Sequence, residues 1–563
     1  MMNSLIGSLP DWQSLSLAEQ VAQMVIVRAS GHLFDHQIQY PQWEPPAAVL
    51  KRWLELGVGG VILLGGSAAE VALRTQQLQD WARLPLLIAA DVEEGVGQRF
   101  AGAIWQPPPL AVGAIAQRQL DQAVAYAEQL GAATAEEALA IGINWILAPV
   151  VDVNNNPNNP VINLRAWGET PEIVNPLIAA FIRGAQTYPV LTTAKHFPGH
   201  GDTNIDSHLE IPLIPHDKAR LAAIELPPFQ TAIAAGVDAV MTAHLQIPAW
   251  DAEFPATLSR PILTTLLRQE LGFSKLIVTD ALVMGAITNH YGADQAAVLA
   301  VEAGADLLLM PADPESAIQA VCRAVETEHI PVAQIHDSLE RIWQAKSKVH
   351  AFSSGSESHA WESAPLVQLG RLAQPATIAT AAAILRDSLQ LYRPTPSRLD
   401  QSRLDSPRPA RNLILVDDAL NCMFLNRQAP AITIPAELGY RLQVVDSYTP
   451  EVNPLEANGS AVEASSTLLQ LFIRGNPFRS SAQLTQVAER WLQWLRHSNQ
   501  LQALMIYGSP YAFERFRLQL TPDIPYVFTY GQMPLAQAIA LEALLTGRLD
   551  RSTASVGSGE FTD

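Results

Sequence analysis

The stretch TTAKHFPGHGDTNIDSHLEI, residues 192–211, concentrates groups able to move protons or hold ions. Three of the chain's thirteen histidines, His196, His200 and His208, fall within thirteen positions of one another, among Lys195, Asp202 and Asp206. Three chemistries fit such a set. The plainest is a Gly/Pro-rich loop whose histidines satisfy local hydrogen bonds. A metal site is the second, but PGHG and DTNID break any helix that would bring the three imidazoles onto one face. The third is acid–base catalysis. Asp206 stands two residues before His208, within reach in a turn, and a carboxylate that accepts an imidazole N–H fixes its tautomer and favours its protonated form. An imidazole that titrates near neutrality can give a proton and later take one back. A partner carboxylate is offered by Asp280, at the end of the apolar run KLIVTD, although an Asp there also suits the cap of a following helix.

These residues need elements that bring them together. Eight short apolar runs are strand candidates: 23–29, 58–66, 85–91, 143–153, 190–197, 237–245, 275–282 and 304–310. Most lack strict alternation, as expected of strands buried on both faces of a parallel sheet. Helical stretches lie between them, among them 121–142 and 169–186, and Ser16 with Glu19 forms a capping-box spacing at a helix start. Eight β/α units predict a closed (β/α)8 barrel of the TIM type, with a doubly wound open sheet as the competing topology. Asp91, Asp152, Lys195–His196, His244 and Asp280 all fall just past strand ends, on the rim where a barrel carries its catalytic groups.

The remainder of the chain reads as further domains. Residues 1–350 form the barrel, 351–411 a Ser/Pro-rich connection with one packed helix (377–391), 412–550 a smaller α/β sandwich domain, and 551–563 a disordered tail. In the sandwich, strands are expected at 412–418, 468–475, 501–510 and 524–531. A formal charge of −19 argues against nucleic acid and against an anionic membrane surface as partners. Cys322 and Cys422 are the two cysteines, too few for a disulfide framework or a thiolate metal site. The first twenty residues show no signal-peptide pattern and no apolar run of about 20 residues occurs, so the expected compartment is the cytoplasm.

AKHFPGHGDTNIDSH closely resembles the signature of glycoside hydrolase family 3, in its bacterial β-N-acetylglucosaminidase branch. ADVEEGVGQRF (90–100), LAPVVDVNNNPNNPVI (147–162), RAWGETPE (165–172) and VTDALVMGAI (278–287) match further family segments in the same order. The resemblance covers about residues 14–345 and continues more weakly into YGQMPLAQAIALEALLTG. It implies a retaining exo-glycosidase releasing terminal β-linked GlcNAc, with peptidoglycan-derived fragments as substrates and with no cofactor or metal. Asp280 would be the nucleophile; His208, assisted by Asp206, would be the acid and then the base, in place of the second carboxyl of most retaining glycosidases. Asp91, Arg99, Arg165, Lys195 and His196 would bind sugar oxygens, while His200 suits a structural role in the loop. His244 and Met284 match positions near the pocket that packing also explains, and Trp167 suits the core better than a sugar face. The family's usual Glu-Gly-Gly-Arg reads here Glu93-Glu94-Gly95-Val96, and Ala166-Trp167 stands where Ser-Phe is usual. A β-glucosidase or phosphorylase on the same barrel, or a non-catalytic sugar-binding protein, are the alternatives.

Overall fold

The structure is a computed structural model and describes residues 9–38, 40–41, 43–203, 210–350, 368–395, 397–399, 410–448, 466–474 and 482–547. Asp206, His208, much of the 351–411 connection and the 551–563 tail lie outside the described residues. The chain divides into two compact units, Met1–Pro109 with Ala116–Thr377, and Leu110–Ile115 with Ile378–Asp563.

All eight expected barrel strands form: β1 Val25–Ser30, β2 Gly60–Leu64, β3 Leu87–Ala90, β4 Trp145–Ile146, β5 Thr193–Phe197, β6 Ala239–Thr242, β7 Leu276–Val278 and β8 Leu308–Leu309. They run parallel in the orders β4-β3-β2-β1-β8 and β5-β6-β7. Two seams join these sets. Trp145 bridges Leu191 and Val150 bridges Lys195 between β4 and β5, and Val278 bridges Leu307 between β7 and β8. Backbone bonds along both seams, such as Thr193 N to Ala148 O at 2.9 Å and Thr279 N to Leu307 O at 3.0 Å, close the sheet into the expected barrel. The open doubly wound sheet is thereby excluded.

Because side chains alternate along each strand, the register assigns every residue to the lumen or to the helices. Lys195 on β5 reaches Asp91 beyond β3, with β4 between them, so both face inward. Pairing carries that parity around the wall. Ile26, Arg28, Ile62, Ala89, Trp145, Met241 and Val278 share it, and so does Asp280 two residues on.

The helices Leu120–Ala140 and Pro171–Ala185 precede β4 and β5. They meet backbone to backbone through a pair of glycines: a Cβ on Gly131 would lie 2.1 Å from Phe181 O, and one on Gly184 would lie 1.9 Å from Glu128 O. The helix Val332–His350 fastens the N-terminal ends of the strands. Its Ser338 and Arg341 bond Asp306, just before β8, each at 2.9 Å. Its Lys348 bonds Asp238, just before β6, at 2.8 Å, and Lys346 Nζ reaches Gln23 Oε1 at 2.6 Å and Pro85 O at 2.7 Å.

The second unit holds a six-stranded sheet of β9 Gln390–Tyr392, β10 Arg411–Leu415, β11 Arg441–Val445, β12 Thr467–Ile473, β13 Leu501–Gly508 and β14 Tyr526–Thr529, in the order β11-β10-β12-β13-β14-β9. β9 is antiparallel to β14 and the other pairs are parallel. The expected helix over 377–391 ends at Ser388, and the chain then adds β9 to the sheet edge. The expected helices Ala482–His497 and Pro534–Thr546 pack on the sheet.

Candidate active site

The C-terminal ends of the barrel strands gather a paired array of charges. Glu93 is two residues past Asp91 and its side chain is only 4% exposed. Arg165 grips it with a two-pronged contact, Nε to Oε2 at 2.7 Å and Nη2 to Oε1 at 2.8 Å, the geometry a planar guanidinium favours with a carboxylate. Lys195, fully buried, donates to Glu93 at 2.7 Å and to Asp91 at 2.6 Å. Burial would raise the Glu93 pKa, but the Arg165 and Lys195 cations outweigh it and hold the carboxyl well below its ordinary range. Burial likewise works against the Lys195 charge, and Asp91 and Glu93 reverse it, raising the ammonium pKa. Arg99 donates from Nε to Asp91 O at 3.0 Å and keeps an exposed guanidinium. Glu93 was not singled out as a binding residue from the sequence. The available signal was its spacing, two residues beyond Asp91 at the C-terminal end of β3.

His196 sits between two fixed partners. Its Nδ1 is 2.8 Å from Asp152 Oδ2, and Arg165 Nη2 lies 3.3 Å from its Nε2. A guanidinium only donates, so Nε2 is the acceptor and Nδ1–H donates to Asp152. Asp152 Oδ1 also accepts the backbone N–H of His200 at 2.7 Å. Burial drives the His200 pKa down to about 4, so this ring is neutral at ordinary pH. The Asp152 contact fixes the His200 backbone within the loop. Asn159 reinforces it by donating to the carbonyls of His200 (2.9 Å) and Gly201 (2.8 Å). A Cβ at Gly201 would lie 1.6 Å from Val153 O, which is why only glycine fits there.

Asp280 follows β7 and is partly exposed, with Oδ1 accepting the Ala281 N–H at 2.8 Å. Its backbone enters a ring of hydrogen bonds. The Asp280 N–H meets Thr242 Oγ1 at 3.3 Å, Thr242 Oγ1 meets Thr257 Oγ1 at 2.8 Å, and Thr257 Oγ1 meets His244 Nδ1 at 2.8 Å. His244 Nε2 then meets Ala281 O at 3.1 Å. A carbonyl only accepts, so His244 carries its proton on Nε2, and the ring closes around the peptide between Asp280 and Ala281. His244 thus anchors the backbone of Asp280. Met284 is buried, and Trp167 is buried beside Phe181 at 5.6 Å between ring centres, a core position. Glu94, where the family resemblance expects glycine, is fully buried and accepts the Trp105 indole N–H at 2.8 Å.

The structure therefore brings Asp91, Arg165, Lys195 and His196 into one array, with Arg99 attached through the Asp91 carbonyl, and sets Asp280 on the same inward parity at the same end of the barrel. Asp206 and His208 fall outside the described residues. Among the described residues no cluster of His, Cys, Asp and Glu has the arrangement of a metal site, and no helix is long and apolar enough to cross a membrane.

Comparison with known proteins gives a family. Residues 16–345 match the glycosyl hydrolase family 3 N-terminal domain, and residues 404–546 match the bacterial glycosyl hydrolase family 3 C-terminal domain. Among curated proteins, beta-hexosaminidase A of Pseudoalteromonas piscicida is 36% identical over 52% of this chain, and the match spans 54% of that protein's length. A beta-hexosaminidase of Nitrosomonas eutropha is 33% identical over 53% of this chain and 90% of its own. Among solved structures, a glycoside hydrolase family 3 beta-N-acetylglucosaminidase from Paenibacillus sp. is 29% identical with a TM-score of 0.74, covering 95% of this chain and 98% of that one.

Proposed function

Because this chain belongs to glycosyl hydrolase family 3, we propose that it is a retaining exo-β-N-acetylglucosaminidase acting in the cytoplasm on terminal β-linked GlcNAc, with fragments derived from peptidoglycan as substrates. The observation that carries this reading is Asp280, its backbone held at the barrel mouth by a hydrogen-bonded ring and its position sharing the inward parity of the Asp91–Lys195–Glu93–Arg165 array. The names of the relatives above support the choice of sugar.

In this reading Asp280 attacks the anomeric carbon and forms a glycosyl ester as the glycosidic C–O bond breaks. His208, assisted by Asp206, gives its proton to the departing oxygen. It then takes a proton from the water that cleaves the ester, returning Asp280 as carboxylate. The other two histidines of the loop are already committed, His196 to Asp152 and Arg165 and His200 to a neutral buried state, which supports His208 in the proton-transfer role. Asp91, Lys195, Arg165 and Arg99 supply the polar contacts for sugar oxygens.

A 5-fluoro GlcNAc donor with a good leaving group tests the nucleophile directly. The expected result is an ester on the proteolytic peptide containing Asp280, seen by mass spectrometry; a label on another residue rules this assignment out. Hydrolysis of p-nitrophenyl GlcNAc should exceed that of the glucoside, with free GlcNAc as product whether or not phosphate is present.

A further inference from the structure

One cation in the barrel wall has no place in the array above. Arg28 on β1 is paired in register with Ile62, which is paired with Ala89, and so shares the inward parity of Asp91. It is half-buried, and its Nε and Nη1 are shut off from solvent with no hydrogen-bond partner among the described residues. Arg165, by contrast, is matched to Glu93. Burial lowers the Arg28 pKa below the usual guanidinium value, the mark of a charge stripped of water without compensation.

We propose that Arg28 is an oxyanion-binding residue of the substrate pocket, receiving a sulfate, phosphate or carboxylate carried at C6 of the sugar that is cleaved. The proposal rests on the function proposed above. β1 lies on the arc of wall between β7 and β3, opposite β5. A pyranose with C1 at Asp280 and its non-reducing end at Asp91 turns one edge to β5 and the other to β1. The β5 side offers Lys195 together with Arg165, a cationic donor pair matched to the edge bearing the C2 acetamido and C3 hydroxyl groups. The edge facing β1 then carries the ring oxygen and the C6 arm, the one substituent long enough to reach a guanidinium set back in the wall. An oxyanion there would take the orphaned N–H groups in the forked geometry that arginine favours.

The test compares p-nitrophenyl GlcNAc with its 6-sulfate, in the full chain and in R28M and R28K. Wild type should cleave the sulfated sugar at least as efficiently as the neutral one. The ratio of kcat/KM, sulfated over neutral, should fall by roughly tenfold or more in R28M, as loss of a charge-assisted bond implies, and by less in R28K. An unchanged ratio in R28M overturns the proposal; if R28M does not fold, an unchanged ratio in R28K does so. Release of a sugar 1-phosphate on adding inorganic phosphate, in wild type but not in R28M, would reassign the anion to free phosphate and overturn the C6 placement. If the wild type does not cleave neutral p-nitrophenyl GlcNAc, the proposed function fails. Titration calorimetry with GlcNAc 6-phosphate then decides the Arg28 assignment alone: tighter binding to wild type than to R28M sustains it, and equal binding refutes it.

Discussion

Glu93 shows how much of a site's behaviour can rest on a residue kept from contact with solvent. Its charge is what permits Lys195 and Arg165 to be buried side by side, since either cation without it would repel the other across a low-dielectric gap. E93Q is therefore expected to cost about 3–5 kcal/mol in unfolding free energy, read from denaturant titration, and to reduce kcat/KM by roughly 100-fold. The ring around Asp280 makes a different demand. Thr257 passes a hydrogen bond to His244, and T257V breaks the circuit while keeping the shape. The expected outcome is a fall in kcat of about tenfold with KM much less affected, because a loosened nucleophile loses reactive geometry before it loses binding. Little of this second feature was legible in the sequence. Histidine and aspartate in family spacing pointed to Asp280 and the Lys195–His196 pair, but the roles of Thr242 and Thr257 depend on how the segments after β6 meet the end of β7.

The barrel strands were legible because both of their faces are covered, which leaves unbroken apolar runs in the sequence. β11, an edge strand with Arg441 and Leu442 exposed, carries no such signature, and β9, a three-residue edge strand, starts inside the helical pattern of 377–391. Long apolar runs also overstate strand length. The run 143–153 contributes only Trp145–Ile146 to a ladder, and Pro149, lacking an N–H, marks where regular pairing gives way to a single bridge at Val150. The helix Val332–His350 carries its own testable consequence. Burial pulls the Lys346 pKa down to about 7, and its two acceptors match the two N–H bonds of a neutral amine. With the folded value near 7 and the unfolded value near 10.5, the unfolded chain binds more protons between them, so this residue makes stability rise with pH over that window. K346M should flatten the rise in melting temperature measured from pH 7 to 10.

For the molecule as a whole, the polar connection after residue 350 marks a change of texture in the sequence rather than the end of the first unit. Gln368 N bonds Ala140 O at 3.0 Å, Arg371 bonds Glu136 at 2.8 Å, and the Ala373 N–H is accepted by Glu137 at 2.7 Å. Burial lifts Glu137 to a pKa of about 7, so its remaining donors matter. A fragment ending at 350 should melt several degrees below one ending at 377, by thermal unfolding followed with circular dichroism, because it strands that carboxyl with fewer partners. The glycine seam between the helices Leu120–Ala140 and Pro171–Ala185 reaches further still. Two backbones locked in one notch cannot slide past each other by a residue, and each helix hands the chain to a strand of the rim, β4 or β5. The height of Asp152 relative to His196 is thus indexed from the barrel's outer layer, and a methyl group at Gly131 or Gly184 would detune the imidazole without touching the lumen.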